Sequence, residues 1–440
     1  MSGSSGREPV TASRQAALQI RSDVGRGLRL DVAMDRAARG LESRDRAFVH
    51  ELAYGVSRLR GRLDHLLSLR VSGGLERLDQ GILEILRIGA YQILYMDGVP
   101  RYASVSQSVA QARTVSGRGA AGLVNAVLRS VAEHGIDPKA FPPFEEDALA
   151  HLETWGSHPR WLLQRWLGRW PAPEVKGLAE ANNRKPSLFL VPMSGDVAEA
   201  ETLLAGVGVG ARPVGQGSLC LQLEAGTDPM VALGALPSFI QDPAANLVTR
   251  YADVPAGMKV ADLCSAPGGK ALAVSAQASY TLAADRSLVR MRMVRDNARR
   301  TGCPLGMVVA DARRPPLRGV DVVLLDVPCT GTGTLGRHPD GRWRLDEVAL
   351  ADMVSLQRAL LDEAAKLIPI GGFLIYSTCS LEAEENEDQV SAFLERRPDF
   401  TLAPTDAVSD GFLDGRGHLV VLPQRHGFDG AFAARMRRAS

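Results

Sequence analysis

The chain has 440 residues and a formal net charge of +1, from 51 Lys and Arg against 50 Asp and Glu. That length allows two to four domains with cores of their own, and the balanced charge neither demands nor excludes nucleic acid. Five cysteines, with no C-x-x-C pair and no His-rich cluster, argue against a disulfide framework and against a zinc site. No apolar run approaches the roughly 20 residues of a membrane helix, and the N-terminus has no apolar signal core. A soluble protein of the reducing cytoplasm is expected, with MSGSSG as a flexible start.

Residues 9–135 read as almost continuous helix. DVAMDRAARGL, DRAFVHELAYGVSRLRGRLDHLLSL, LDQGILEILRIGAYQILYM and AAGLVNAVLRSVAEHG carry apolar residues at three- and four-residue spacing. Ser43 and Pro100 fit helix boundaries. Residues 1–140 hold 20 Lys and Arg against 14 Asp and Glu. That allows a mildly basic face, although a solvated helical surface is the simpler reading. Residues 136–155 are Pro-rich and read as a linker. Trp155, Trp161, Trp166 and Trp170 follow, interleaved with Arg. Trp161, Leu162, Arg165, Trp166 and Trp170 sit at helical spacing, which favours core or interdomain packing over base stacking. From Ser187 to Leu223 the pattern turns to strand (SLFLVPM), helix (VAEAETLLAGVG) and strand (SLCLQLE), a small α+β module. Cys220 in the second strand reads as a buried apolar residue. FIQDPAANLVTRYADVPAG then reads as a helix.

The C-terminal third alternates strand and helix, with strands expected at 259–263, 280–284, 306–310, 320–325, 371–376 and 418–422. This is the pattern of a doubly wound, mostly parallel α/β sheet. Its first strand opens KVADLCSAPGGK. Cys264-Ser265-Ala266-Pro267-Gly268-Gly269 is a small-residue turn, closed by Lys270 and followed by a helix. Strand, Gly-rich turn and helix present backbone N–H groups to a ligand. The turn is neither G-x-G-x-x-G nor a Walker A loop. Asp285 ends the next strand, about 20 residues on, where a ribose-binding carboxylate is expected. Asp311 and Asp326 also fall at strand ends, on the edge where such sheets bind ligands.

Two cysteines fall there as well, Cys329 in DVVLLDVPCTGTGT and Cys379 in FLIYSTCSLEAEENEDQV. A free cysteine by itself is usually core packing, but these two directly follow apolar strands. Ser380 is a good N-cap for a helix starting at Leu381, which would favour a Cys379 thiolate. Glu382, Glu384 and Glu385 would partly oppose it. A nucleotide-like cofactor, a thiolate, a second thiol and a strand-end carboxylate together suit methylation of cytosine C5. That carbon becomes nucleophilic only after a thiolate adds at C6, helped by a carboxyl group near N3. A base buried in a helix must first be flipped out or be presented unpaired.

DRAFVHELAYGVSRLRGRLDHLL, RIGAYQILYMDGVPRYASVSQSVAQA and GLVNAVLR resemble the NusB family, an all-helical RNA-binding fold. That resemblance makes Arg129 and the Arg58–Arg62 cluster candidate phosphate contacts. DLCSAPGGK, DVPCTGTG, YSTCS followed by EENE, and LPQRHGFDGAFAARM resemble the NOL1/NOP2/Sun RNA cytosine-5 methyltransferases. With the NusB-like start, the chain is similar to the RsmB/Fmu/Sun family over residues 9–437. The resemblance implies a NusB-like helical domain at 9–140, a linker and RNA-recognition-like module at 141–235, and a Rossmann-like class I methyltransferase domain at 236–440. It implies S-adenosyl-L-methionine as cofactor and small-subunit ribosomal RNA as substrate; the cysteine pattern gives no metal site, and with no sign of an obligate oligomer a monomer is expected. Cys379 would be the nucleophile, and Cys329 would assist product release. Asp326 would lie near the methionine amine and cytosine N3. Cys264, Ser265, Ala266, Pro267, Gly268, Gly269 and Lys270 would wrap the methionine end, Asp285 would hold the ribose, and Asp311 would lie near the adenine. RHPDGRW, 337–343, also fits, its Arg and Trp expected to meet RNA. Val327, Thr330 and Ser265 depart from the residues common in the family by size-tolerant changes. Two alternatives stay open. The same chemistry could act on transfer RNA or on DNA, with Cys329 attacking in the DNA case. Or the chain could be an RNA-binding assembly factor without catalysis.

Overall fold

The computed structural model describes residues 10–215 and 217–439, so the MSGSSG start lies outside the described residues. The chain divides into two compact units. One comprises residues 1–184 with 335–344, the other residues 185–334 with 345–440.

The first unit is helical, as the periodicity predicts. Its main helices span Ala12–Gly25, Leu30–Ala37, Ser43–Arg58, Arg60–Ser68, Gln80–Tyr95 and Arg101–His134. The long pattern expected through residues 45–69 breaks at Leu59, whose φ of −105° and ψ of 20° leave the helix. Gly61, just beyond, backs onto the helix Ala148–Thr154, where a Cβ would stand 2.5 Å from the Glu153 carbonyl. Ile20, Leu52, Val56, Leu86 and Leu128 are fully buried in one core. Burying each such side chain contributes roughly 1.5–3 kcal/mol. Inside that core Arg21 and Arg87 grip Glu84 at 2.8 and 2.5 Å, and Arg87 also holds Asp64 at 2.6 Å. Burial would raise the Glu84 pKa, but the two guanidiniums outweigh it and hold the carboxyl at about 2.

Two further helices, Arg160–Arg169 and Ala172–Asn183, complete this unit, with Trp166 buried between residues of its own fold as its spacing predicts. Residues 335–344 also pack here. Arg342 is fully buried and donates to the carbonyls of Arg58, Ser157, Asn182 and Leu335 and to Asn183 Oδ1. Trp343 Nε1 donates to the Ser57 carbonyl at 2.7 Å. The expectation that the Arg and Trp of RHPDGRW meet RNA is therefore corrected for Arg342 and Trp343. Arg342 Nη1 and Nη2 and Trp343 Nε1 are taken up by groups of their own unit. Arg58 is likewise buried, with Nη2 on the Gly336 carbonyl, and is no phosphate contact, whereas Arg129 is exposed.

The second unit begins with a small antiparallel sheet of β1 (Phe189–Pro192), β2 (Ala211–Pro213), β3 (Leu221–Leu223) and β4 (Ser238–Ile240), ordered β2-β3-β1-β4. Leu190, Leu204 and Leu221 are buried in its core with the helix Val197–Gly206. The sequence reading missed β2 and β4, which are only three residues each and carry no alternation long enough to see.

A larger sheet follows: β5 (Lys259–Asp262), β6 (Tyr280–Asp285), β7 (Gly306–Val309), β8 (Val322–Asp326), β9 (Phe373–Thr378), β10 (Phe400–Leu402), β11 (Leu419–Val421) and β12 (Ala431–Arg438). Its order is β10-β12-β9-β8-β5-β6-β7, with β11 also paired to β12. Strands β5 to β9 are parallel, and β10, β11 and β12 pair antiparallel at one end. Order reverses between β5 and β6 on one side and β5 and β8 on the other. Their carboxyl ends therefore open a crevice at the switch point. Six expected strands are present within a few residues. β12 was not anticipated, because AFAARMRR is built from helix formers. Pairing with β9 and β11 overrides that propensity. Among the described residues no helix is long and apolar enough to cross a membrane, and no group of three or more His, Cys, Asp or Glu is placed to hold a metal ion.

Candidate active site

Adjacent parallel strands β8 and β9 run in register, with Asp326 opposite Ser377. Cys329 and Cys379 follow three and two residues later, and their sulfurs lie 3.2 Å apart. The loops that carry them are stitched together. Val327 N donates to the Ser377 carbonyl (3.0 Å), Gly333 N to the Cys379 carbonyl (2.9 Å), and Leu381 N to Thr332 Oγ1 (2.8 Å). A Cβ at Gly333 would come within 2.7 Å of the Cys379 carbonyl oxygen, so glycine is required there by close approach. The TGTG stretch is thus a fixed seam rather than a flexible tail.

Glu385 underlies the seam. It is fully buried and accepts from Thr330 N (2.8 Å), from Thr330 Oγ1 and from Gln357 Nε2 (2.8 Å). Burial raises its pKa against these hydrogen bonds. Its expected role as a charge opposing the Cys379 thiolate is overshadowed by this structural one. The helix expected from Leu381 does not form. Ser380 Oγ instead accepts from Glu382 N in a local turn, and the first full helix is Glu387–Arg396. A helix N-terminus therefore does not activate Cys379. A cation does stand near it. Lys270 Nζ binds Asp326 Oδ2 at 2.7 Å. Burial would lower the Lys270 pKa, but Asp326, Asp262 and Cys379 together raise it, so the ammonium stays charged within reach of the thiol. Asp326 Oδ1 meanwhile accepts from Ser377 Oγ at 2.8 Å. The Cys329 thiol is pushed well up, first by its hydrogen bond to Cys379, then by burial and by the charges of Cys379 and Glu385.

The turn after β5 closes the crevice. Ser265 N donates to the Ala284 carbonyl at 2.9 Å, tying the turn to β6, and Gly268 takes a φ of +104° that a side chain would strain. Asp262 is 1% exposed and Ser265 is buried, yet both Asp262 carboxylate oxygens and Ser265 Oγ lack a hydrogen-bond partner of good geometry. Buried polar atoms left open in a crevice fit a polar ligand end. The Cys264 thiol is pushed up by burial and by Asp262, Asp326 and Asp285, and is inert at neutral pH. Asp285 is buried at the end of β6, where Oδ1 accepts from Ser287 N at 2.8 Å. Asp311 stands two residues beyond β7, its carboxylate taken by Arg313 Nη2 at 2.6 Å and Nε at 3.1 Å. Of the residues expected at the site, Cys329 and Cys379 form one contacting pair and Lys270 and Asp326 another, on the neighbouring ends of β8 and β9 and the turn after β5, and Asp285 is tied to the turn through the neighbouring backbone. Asp311 is engaged elsewhere. Asp262, Ser377, Gln357 and Glu385 were not singled out as site residues. Only the EENE signature hinted at Glu385.

A family model for 16S rRNA methyltransferase RsmB/F matches residues 253–437, and a NusB family model matches residues 11–133. A model for the RsmF/B-like ferredoxin-like domain matches residues 158–228. Ribosomal RNA small subunit methyltransferase B of Vibrio cholerae serotype O1 is 32% identical, over 97% of this chain and 96% of its own. The chain belongs to the RsmB/F methyltransferase family. Its relative of the same name in Sodalis glossinidius is 31% identical over 96% of each chain. The crystal structure titled PH0851 superposes on this RsmB/F chain with a TM-score of 0.78 at 25% identity, covering 98% of it and 99% of that chain. A methyltransferase homolog from Pyrococcus horikoshii shares the fold over 69% of the chain, with a TM-score of 0.56 at 23% identity, and is covered completely. The NusB and methyltransferase expectations hold, and this RsmB/F member is a methyltransferase.

Proposed function

We propose that the chain transfers a methyl group from S-adenosyl-L-methionine to C5 of a cytosine in 16S, small-subunit ribosomal RNA, through a covalent bond between Cys379 and C6. The observation that carries this reading is the thiol pair, 3.2 Å apart beside the Lys270–Asp326 ion pair. The cofactor, held by residues 264–270 with Asp262 and Asp285 facing its polar groups, supplies the methyl group. Asp311 would need to exchange its Arg313 contact to reach the adenine. Cys379 adds as a thiolate to C6 and breaks the C5–C6 double bond. Asp326 holds a proton at N3, which draws electron density from the ring as the thiolate adds. Once C5 carries the methyl group, water takes the C5 proton, the C5–C6 double bond re-forms, and the Cys379 sulfur leaves as the thiolate. Cys329, its sulfur 3.2 Å from that of Cys379, assists the departure by hydrogen bonding to the leaving thiolate. The DNA-type alternative, in which Cys329 attacks, predicts instead that Cys329→Ala and not Cys379→Ala loses methyl transfer.

The domains proposed are 9–140, 141–235 and 236–440, in a cytoplasmic monomer without metal. The relatives' names carry the ribosomal substrate. Methyl transfer from labelled S-adenosylmethionine to 16S ribosomal RNA, followed by nucleoside mass spectrometry, tests the reading. Label in 5-methylcytidine supports it. Label in any other nucleoside, or label only on transfer RNA or DNA, overturns it.

A further inference from the structure

Within the helical unit a cleft of about 160 Å³ opens between the segment at Arg62 and the helices Ala148–Thr154 and Ala172–Asn183. Pockets for whole small molecules run to roughly 300–1,000 Å³. This one suits a single group projecting from a polymer. Its floor is a preformed stack. Arg62 Cζ lies 3.9 Å from the Trp155 ring centre, and Arg62 Nε and Nη2 both donate to the Trp155 carbonyl, at 3.0 and 2.7 Å. Trp155 is braced edge-on by Phe141, with ring centres 5.0 Å apart. His151 is fixed beside it by Nδ1 on the Pro142 carbonyl at 2.9 Å.

The guanidinium is therefore held flat without a carboxylate. Lys176 and Arg184 add two more cations to the lining, and Glu180 is the opposing charge. Among the described residues none of Arg62, Lys176 and Arg184 is in an ion pair. Three cations against one carboxylate, around a fixed cation–aromatic stack, match the two faces of an unpaired nucleotide. The base stacks on the guanidinium plane, and the phosphate meets the flexible cations.

We propose that this cleft is a subsite for one unpaired nucleotide of the RNA substrate, with the base on the Arg62–Trp155 stack and the phosphate on Lys176 and Arg184. This rests on RNA being the substrate, as proposed above. The test uses the full chain and a fluorescein-labelled unpaired RNA oligonucleotide, with equilibrium anisotropy measured over a series of KCl concentrations. Lys176→Gln with Arg184→Gln weakens binding by about 10-fold at low salt. It also flattens the slope of log K against log salt by about 0.7, the contribution of one neutralised phosphate on a single strand. Glu180→Gln acts in the opposite direction, tightening binding by about 2–3-fold as one repulsive charge goes. Circular dichroism and S-adenosylmethionine affinity serve as checks that the variants fold. Wild-type affinity and slope in the folded double variant, or weaker binding by Glu180→Gln, overturns the subsite alone. Failure of the wild type to bind any RNA overturns the subsite together with the reading of RNA as substrate.

Discussion

Asp262 should make the second unit less stable as pH rises from acid to neutral, and Asp262→Asn should abolish that loss. The side chain is 1% exposed, with neither carboxylate oxygen well hydrogen-bonded. Burial above all, then the charge of Asp326, pushes its pKa up from 3.8 to about 7, against some relief from Lys270. Between those values the folded chain binds a proton that the unfolded chain does not. Stability therefore falls as pH rises through that window and levels off above it. At ~1.4 kcal/mol per pKa unit the interval corresponds to about 4 kcal/mol. Asp262→Asn keeps the shape and removes the titration. The two proteins should be equally stable near the acid end of the window, and the variant more stable by up to about 4 kcal/mol above it. Urea unfolding followed by far-ultraviolet circular dichroism measures this. Tryptophan fluorescence would not, because Trp155, Trp161, Trp166, Trp170 and Trp343 all belong to the first unit. A stability difference that does not change with pH, or a variant less stable above the window, would refute the reasoning.

Glu385→Ala removes the acceptor for Thr330 N and Gln357 Nε2 and should cost about 3–5 kcal/mol, since buried partners are left unsatisfied. Unfolding of the second unit by circular dichroism checks it, and a loss below about 0.5 kcal/mol, the usual range for a surface change, contradicts the pinning role. Glu84→Gln breaks the buried Arg21–Glu84–Arg87 cluster and should cost the first unit about 3–5 kcal/mol at neutral pH. Because the Glu84 pKa is depressed to about 2, its stabilisation is present above the ordinary carboxyl range and is lost as pH falls toward 2. Tryptophan fluorescence follows this transition. Cys264, with its thiol pushed up, should resist iodoacetamide at pH 8 in the folded protein while Cys379 reacts. Peptide mass mapping reads both, and equal labelling contradicts the assignment.

The larger sheet was legible because its strands are apolar runs separated by helical patterns, and burial on both faces requires such runs. β12 was not, because Arg435 and its alanines carry no strand signal. Arg435 reaches the carbonyls of Ala252 and Ala403, a pairing set by distant chain. The helical start was legible from its period, but the break at Leu59 depends on a contact with a helix some 90 residues on. At the site, the cysteines and strand-end acids could be read because their chemistry is rare at those positions. What tunes them could not. Lys270 was read as the end of a turn, and only the fold brings its ammonium to Asp326 and Cys379. Glu385 was read as one of three charges opposing the Cys379 thiolate, because nothing in EENE says which glutamate turns inward.

The central claim is that Cys379 attacks and Cys329 helps it leave. The most direct test incubates wild type, Cys329→Ala and Cys379→Ala with S-adenosylmethionine and 16S ribosomal RNA, and separates the products under denaturing conditions. A protein–RNA adduct that accumulates in Cys329→Ala, with neither adduct nor methyl transfer in Cys379→Ala, is the predicted result. Methyl transfer surviving in Cys379→Ala, or an adduct trapped there instead, would contradict it.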